Sequence, residues 1–289
     1  MVSTLARGRS DKQSKVELSQ FSSAFQHTAM NSSVRMPALF IGHGSPMNAI
    51  EDTPWRQAWQ ALGARLPRPR AILAISAHWM TPGVGVTAMP MPETIHDFGG
   101  FPDALFAVQY PAPGSPALAQ RIHELLAPLP VTLDQSWGLD HGSWSILVHL
   151  FPAADIPVVQ LSLNLAETND FHYRLGQQLQ ALRDEGVLII ASGNVVHNLR
   201  MIQWQPEAPA PAWSARVEQR VVDCLISNDH QALIDYPTLD PQALLAIPTP
   251  EHYLPLLYIA GLRTDQDAVS FPTRGIDLGT ISMLSVQIG

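Results

Sequence analysis

Cysteine is almost absent from this chain of 289 residues: Cys224 stands alone. That excludes an internal disulfide framework and any thiolate-rich zinc site, and it suits a reducing, cytoplasmic compartment. Basic residues are scarce as well, 17 Lys and Arg against 25 Asp and Glu, giving a formal net charge of −8. Binders of nucleic acid or of anionic membrane surfaces concentrate Lys and Arg, so this balance points to small-molecule partners, with no nucleic acid and no membrane. No apolar run approaches the ~20 residues that cross a bilayer. Common catalytic signatures are missing too. There is no His-Glu-x-x-His pair, Gly44-Ser45-Pro46 is not a Gly-x-Ser-x-Gly elbow, and Gly83-Val84-Gly85 lacks the third glycine of a dinucleotide loop.

With 46% apolar residues, the chain has enough material for one large core. Residues 1–35 differ from the rest: Arg7, Arg9, Lys12, Lys15 and Arg35 stand among serines and glutamines, with no apolar stretch like that of a signal peptide. They read as a disordered leader or a mis-assigned start, with Met30 and Met36 as alternative initiators, leaving 36–289 as the working domain. There, short apolar runs alternate with helical patterns. Strands are predicted at 38–41, 71–76, 131–133, 158–163, 187–192 and 281–286, and helices at 55–66, 116–126, 144–150, 171–183, 213–226, 240–246 and 253–260. Asp52-Thr53-Pro54 opens the first helix, with proline at an early position. The alternation predicts an α/β fold, a single domain with a central mostly parallel or mixed sheet flanked by helices.

Histidine is the residue type most suggestive of chemistry. Of eleven, His43, His78 and His197 each lie at or just past the end of an apolar run, where α/β sheets place their ligands. A right-handed strand–helix–strand crossover would bring His43 and His78 to one edge of the sheet. His141 sits in the turn at 137–142 and His252 at the start of the last helix. His96 lies in a long Pro- and Gly-rich loop, 89–114, whose length suggests a lid or pocket wall. His27 falls in the leader, His123, His149, His172 and His230 fall in predicted helices or near their edges, and all five read as structural. Imidazoles gathered from separate loops without a cysteine cluster suit a mononuclear divalent metal. Spacing alone leaves the choice between ligand and satisfied core histidine open.

The motifs taken together are more specific. Gly42-His43-Gly44-Ser45-Pro46, Ser76-Ala77-His78-Trp79, His96-Asp97-Phe98-Gly99-Gly100-Phe101-Pro102, Tyr110-Pro111-Ala112-Pro113-Gly114, Asp140-His141-Gly142-Ser143-Trp144, Gly193-Asn194-Val195-Val196-His197-Asn198 and Pro250-Glu251-His252-Tyr253 follow one another in order. In this the chain resembles the class III extradiol ring-cleavage dioxygenases, in the 4,5-DOPA dioxygenase branch. The resemblance implies one divalent metal held by His43, His78 and His252, with His197 as an acid/base close enough to coordinate as well. It implies that His141 contacts the bound oxygen or a substrate hydroxyl. Fe(II) is the metal expected for activity and Zn(II) a plausible bound ion, since three neutral imidazoles also suit zinc. The implied substrates are a catechol such as DOPA and O2, with a ring-opened semialdehyde as product. His96, Asp97 and Tyr110 are candidates for substrate binding, and equally for packing or turn chemistry. A non-catalytic metal-binding protein of this fold and a zinc-dependent hydrolase are the alternatives, and self-association into a homo-oligomer is left open.

Overall fold

Side chains alternate between the two faces of a strand, and the central strands here are apolar on both. Leu39, Ile41, Ile72, Ala74, Leu188 and Ile190 enter one hydrophobic core, while Ala38, Phe40, Leu73, Ile75, Ile189 and Ala191 enter the other. A sheet built of such strands has to be covered by helices on both sides. The computed structural model, which describes residues 35–204 and 209–289, shows this arrangement. The expected leader lies almost wholly outside the described residues.

The strands are β1 (Ala38–Gly42), β2 (Ala71–Met80), β3 (Val84–Thr87), β4 (Val131–Asp134), β5 (Val158–Leu163), β6 (Val187–Gly193), β7 (Val269–Thr273), β8 (Ile276–Asp277), β9 (Ile281–Ser282) and β10 (Ser285–Ile288). Eight of them form one mixed sheet in the order β4-β3-β5-β2-β6-β1-β10-β7, and β8 pairs with β9 in a small ribbon. The central run β5-β2-β6-β1 is parallel, whereas β10 and β7 add antiparallel strands at one side. The longer helices are α1 (Pro54–Gly63), α2 (Pro116–Leu125), α3 (His141–Leu150), α4 (Asn169–Gln178), α5 (Ala212–Ser227) and α6 (Leu254–Leu262). Buried residues of α1 and α3 fill one core and those of α2, α4, α5 and α6 the other. Helix α6 is buried on every side, as its unbroken apolar sequence requires.

Most predicted elements match within a few residues, and the departures have local causes. Strand β2 runs on to Met80, with an irregular register against β5 between Ile75 and Met80, so His78 projects from the strand and not from a loop after it. Such irregularities re-aim side chains near functional sites. Helix α3 begins at His141 because Asp140 caps it, its carboxylate accepting the Ser143 N–H. The predicted strand at 281–286 is two strands, because Ser282 donates to Glu218 and accepts the N–H of Leu284, which turns the chain between them.

Candidate metal centre

β6 lies between β1 and β2 and runs parallel to both, so the three strands end on one edge of the sheet. His43 follows β1, with Gly44 beyond it in the left-handed region at φ 61°. His197 follows β6. His252 precedes α6, in a turn tied to the end of β6 by the bond from Asn194 N–H to its carbonyl, 2.8 Å. His141 opens α3, and Gly142 lets that helix approach β2: a Cβ there would stand 2.5 Å from Ser76 Oγ and 2.8 Å from His78 Cδ2.

The structure thus brings five imidazoles together. One ligand atom from each of His43, His78 and His141 lie within 4.8 Å of one another, and so do those of His197, Glu251 and His252. The two groups are contiguous: the His252 ring centroid is 5.5 Å from that of His43 and 5.0 Å from that of His78. His141 therefore packs closer to the expected ligand pair than the sequence suggests. Glu251 and His252 occupy a turn, and Glu251 Oε1 stands 3.3 Å from His252 Nδ1.

Hydrogen-bond partners indicate which nitrogen is bare in two of the rings, His43 and His252. Ser192 Oγ donates its one proton to the Gly142 carbonyl at 2.5 Å, so toward His43 Nδ1, at 2.9 Å, it accepts. His43 consequently carries its proton on Nδ1 and leaves Nε2 bare. Asp97 accepts from His141 Nδ1 at 2.9 Å, which turns His141 Nε2 away from it, and Glu251 faces Nδ1 of the neutral His252, so that ring too presents Nε2 without a proton. The bare His43 Nε2 is 3.2 Å from His78 Nε2. That spacing suits two nitrogens sharing one ion at roughly 2.0–2.1 Å. Two ring nitrogens of buried, neutral imidazoles meeting at that distance make a donor set that fits a divalent metal.

Electrostatics agree. Burial, and then the neighbouring histidines, hold His43 and His252 well below the ordinary imidazole range. His78 is pulled down to about 3 by burial and by His141, against the opposing carboxylate of Asp97. Burial brings His197 to about 4. These four imidazoles are neutral near pH 7, the form that binds metal. His197 lies flat against His252, centroids 3.5 Å apart and planes 10° apart. Parallel rings direct their lone pairs along separate planes, so in this arrangement an ion in the plane of His252 lies outside that of His197. Among the described residues no hydrogen bond fixes the His197 ring.

A cavity of about 360 Å³ opens over the cluster, walled by Phe98, Phe101, Leu199, Ile202, Trp204 and Leu278. The 89–114 loop is a wall and is pinned in place: Ile95 and Leu139 are bonded backbone to backbone, Trp144 Nε1 donates to the Ile95 carbonyl, and Thr94 Oγ accepts the Tyr110 N–H. The three substrate-binding candidates of this loop have partners within the protein. His96 donates from Nε2 to the Val108 carbonyl, Tyr110 is buried with its hydroxyl bonded to the Phe151 carbonyl, and neither lines the cavity. Asp97 is engaged with His141. The four described histidines read as structural do bond elsewhere: His123 to Val131, His149 to Asn48, His172 to Tyr258 and His230 to Asn228.

Ser192 is the participant that sequence reasoning missed. Its one sign is a hydroxyl at the end of an otherwise apolar strand. Ser192→Ala is expected to weaken Zn(II) binding by about 10–100-fold, measured by competition with a chromophoric chelator, because the His43 proton loses its acceptor.

Residues 37–287 match the family model of the catalytic LigB subunit of aromatic ring-opening dioxygenase. The chain is 54% identical over 263 residues to a protein of Escherichia coli K12 named 4,5-DOPA dioxygenase extradiol, covering 89% of this chain and 96% of that one. It is 39% identical over 249 residues to a protein of Beta vulgaris with the same name, covering 84% and 92%. A crystal structure of an uncharacterized protein from Escherichia coli K12 superposes with a TM-score of 0.78 at 49% identity, covering 88% of this chain and all of that one.

Proposed function

Because the chain belongs to the LigB family of aromatic ring-opening dioxygenases, we propose that it opens the ring of a catechol outside the two hydroxyls, with DOPA, the compound in its relatives' names, as the first candidate substrate. The observation that carries this reading is the convergence of five imidazoles beneath an apolar cavity, three of them with Nδ1 engaged by a hydroxyl or carboxylate. His43, His78 and His252 would hold the ion, an all-imidazole set that admits Zn(II) as well as Fe(II). Fe(II), when bound, supplies the redox chemistry that joins a catechol to O2, which zinc lacks.

The protein's own groups prepare the substrate. Phe98, Phe101, Ile202 and Trp204 offer apolar faces to the ring and keep water from it. His141, with Nδ1–H committed to Asp97, offers Nε2 to a catechol hydroxyl. His197 is neutral and unfixed, free to take a phenolic proton and return it after the ring opens. No helix among the described residues is long and apolar enough to cross a membrane, and the lone cysteine suits the cytoplasm.

The test is to load the metal-free protein with Fe(II) without air, add catechols including DOPA, and admit oxygen. A yellow ring-opened product with O2 uptake is expected. No uptake across the panel would contradict the assignment, and turnover of an ester or amide by the zinc form without oxygen would replace it with hydrolysis.

A further inference from the structure

One carboxylate reaches two of the five imidazoles. Asp97 Oδ1 accepts both the backbone N–H and the Nδ1–H of His141, each at 2.9 Å. Its other oxygen, Oδ2, faces His78 Nδ1 at 3.6 Å, beyond a formed hydrogen bond but close enough to favour a proton on that nitrogen. The His78 and His141 rings lie 3.9 Å apart, centroid to centroid. Asp97 is held from both sides: Ile95 is bonded to Leu139 and Trp144, and Phe98 packs edge-on against His141 at 5.4 Å. Two catechol-facing functions, an ion ligand and a cavity histidine, thus hang on one side chain.

We infer that Asp97 is a positioning residue for both rings: Oδ1 turns His141 Nε2 into the cavity, and Oδ2 keeps the His78 proton on Nδ1 so that Nε2 is bare toward His43. The proposal rests on the metal reading of the cluster, but not on oxygen chemistry. Because the two oxygens have different partners, the isosteric variant separates them. In Asp97→Asn the amide oxygen serves the two donors of His141, which places the NH2 group opposite His78 Nδ1. That nitrogen must then accept, and the proton moves to Nε2, where the ion belongs. Asp97→Ala releases both rings.

The experiment uses metal-free protein with isotope-labelled histidine. Long-range proton–nitrogen correlations report each tautomer, and Zn(II) affinity is read by competition with a chromophoric chelator. Wild type is expected to show Nδ1–H at both His78 and His141. Asp97→Asn is expected to keep that form at His141, convert His78 to Nε2–H, and bind zinc about 10–100-fold more weakly, the usual effect of losing a partner behind a ligand. Asp97→Ala is expected to lose the fixed tautomer at His141 too. An unchanged His78 tautomer in Asp97→Asn, with zinc affinity within about twofold of wild type, would overturn the proposal. Both readouts are taken without catechol or oxygen. A protein with these tautomers that opens no ring would uphold the positioning role while contradicting the catalytic one.

Discussion

His197→Ala is expected to lower kcat by about two to four orders of magnitude, the range for loss of a positioned acid/base, while the protein still takes up its metal. The reasoning begins with ring geometry. His197 lies parallel to His252 at 3.5 Å, so its lone pairs do not converge on an ion in the plane of His252. Its imidazole is neutral, brought to about 4 by burial, and lines the cavity over the cluster. It is therefore expected to exchange a proton with substrate rather than to hold the ion. His43→Ala and His78→Ala remove nitrogens that meet at 3.2 Å and are expected to lose the metal itself. Metal per chain, measured beside kcat, separates the two classes. Loss of metal in His197→Ala, with retention in His43→Ala, would reverse the roles.

The largest effect on stability is expected at the other end of β1. Arg183 is fully buried and donates to the carbonyls of Met36 and Leu262 at 2.8 and 3.0 Å. Its guanidinium also makes two bonds of 2.8 Å to the carboxylate of Asp267. Removing one member of a buried pair strands the other, so Arg183→Met is expected to cost about 3–5 kcal/mol. In a domain of this size that lowers Tm by on the order of 10 °C. Zinc affinity of the folded variant is expected to stay at the wild-type value, because Arg183 touches none of the histidines. The acid dependence follows from Asp267. Burial opposes its charge, but the bonds from Arg183 and Thr264 prevail and hold its carboxyl well below the usual carboxylate range. A carboxyl depressed in the folded state contributes stability above its unfolded value, near 3.9, and loses it as pH falls below that. Thermal melts of wild type and Arg183→Met are accordingly expected to converge in acid. A constant difference in Tm across that range would show that the ion pair is not the source.

The runs that became β1, β2, β5 and β6 were legible because strands apolar on both faces leave little else for Val, Ile and Leu to do. The histidines at their ends were legible because Gly-His-Gly and Gly-Asn-Val-Val-His interrupt those runs abruptly. The way His78 is carried was not, since it depends on an irregular pairing between β2 and β5 that no local pattern encodes. Nor was the work of Ser192 and Asp97, whose partners stand 149 and 44 positions away in the chain. His96 and Tyr110 show the converse. An imidazole and a phenol in a Pro- and Gly-rich loop look functional, but this loop folds on itself and uses them as struts. The cavity wall joins Phe98 and Phe101 to Leu199, Ile202, Trp204 and Leu278, segments that only the fold brings together.

The central claim is that this cluster joins both atoms of O2 to a catechol. It is tested most directly by turning over a simple catechol with the Fe(II) form under isotopically heavy dioxygen, trapping the aldehyde by borohydride reduction and weighing the ring-opened product. Both heavy atoms in that product are the expected result. A product carrying one heavy atom, or none, would contradict the account.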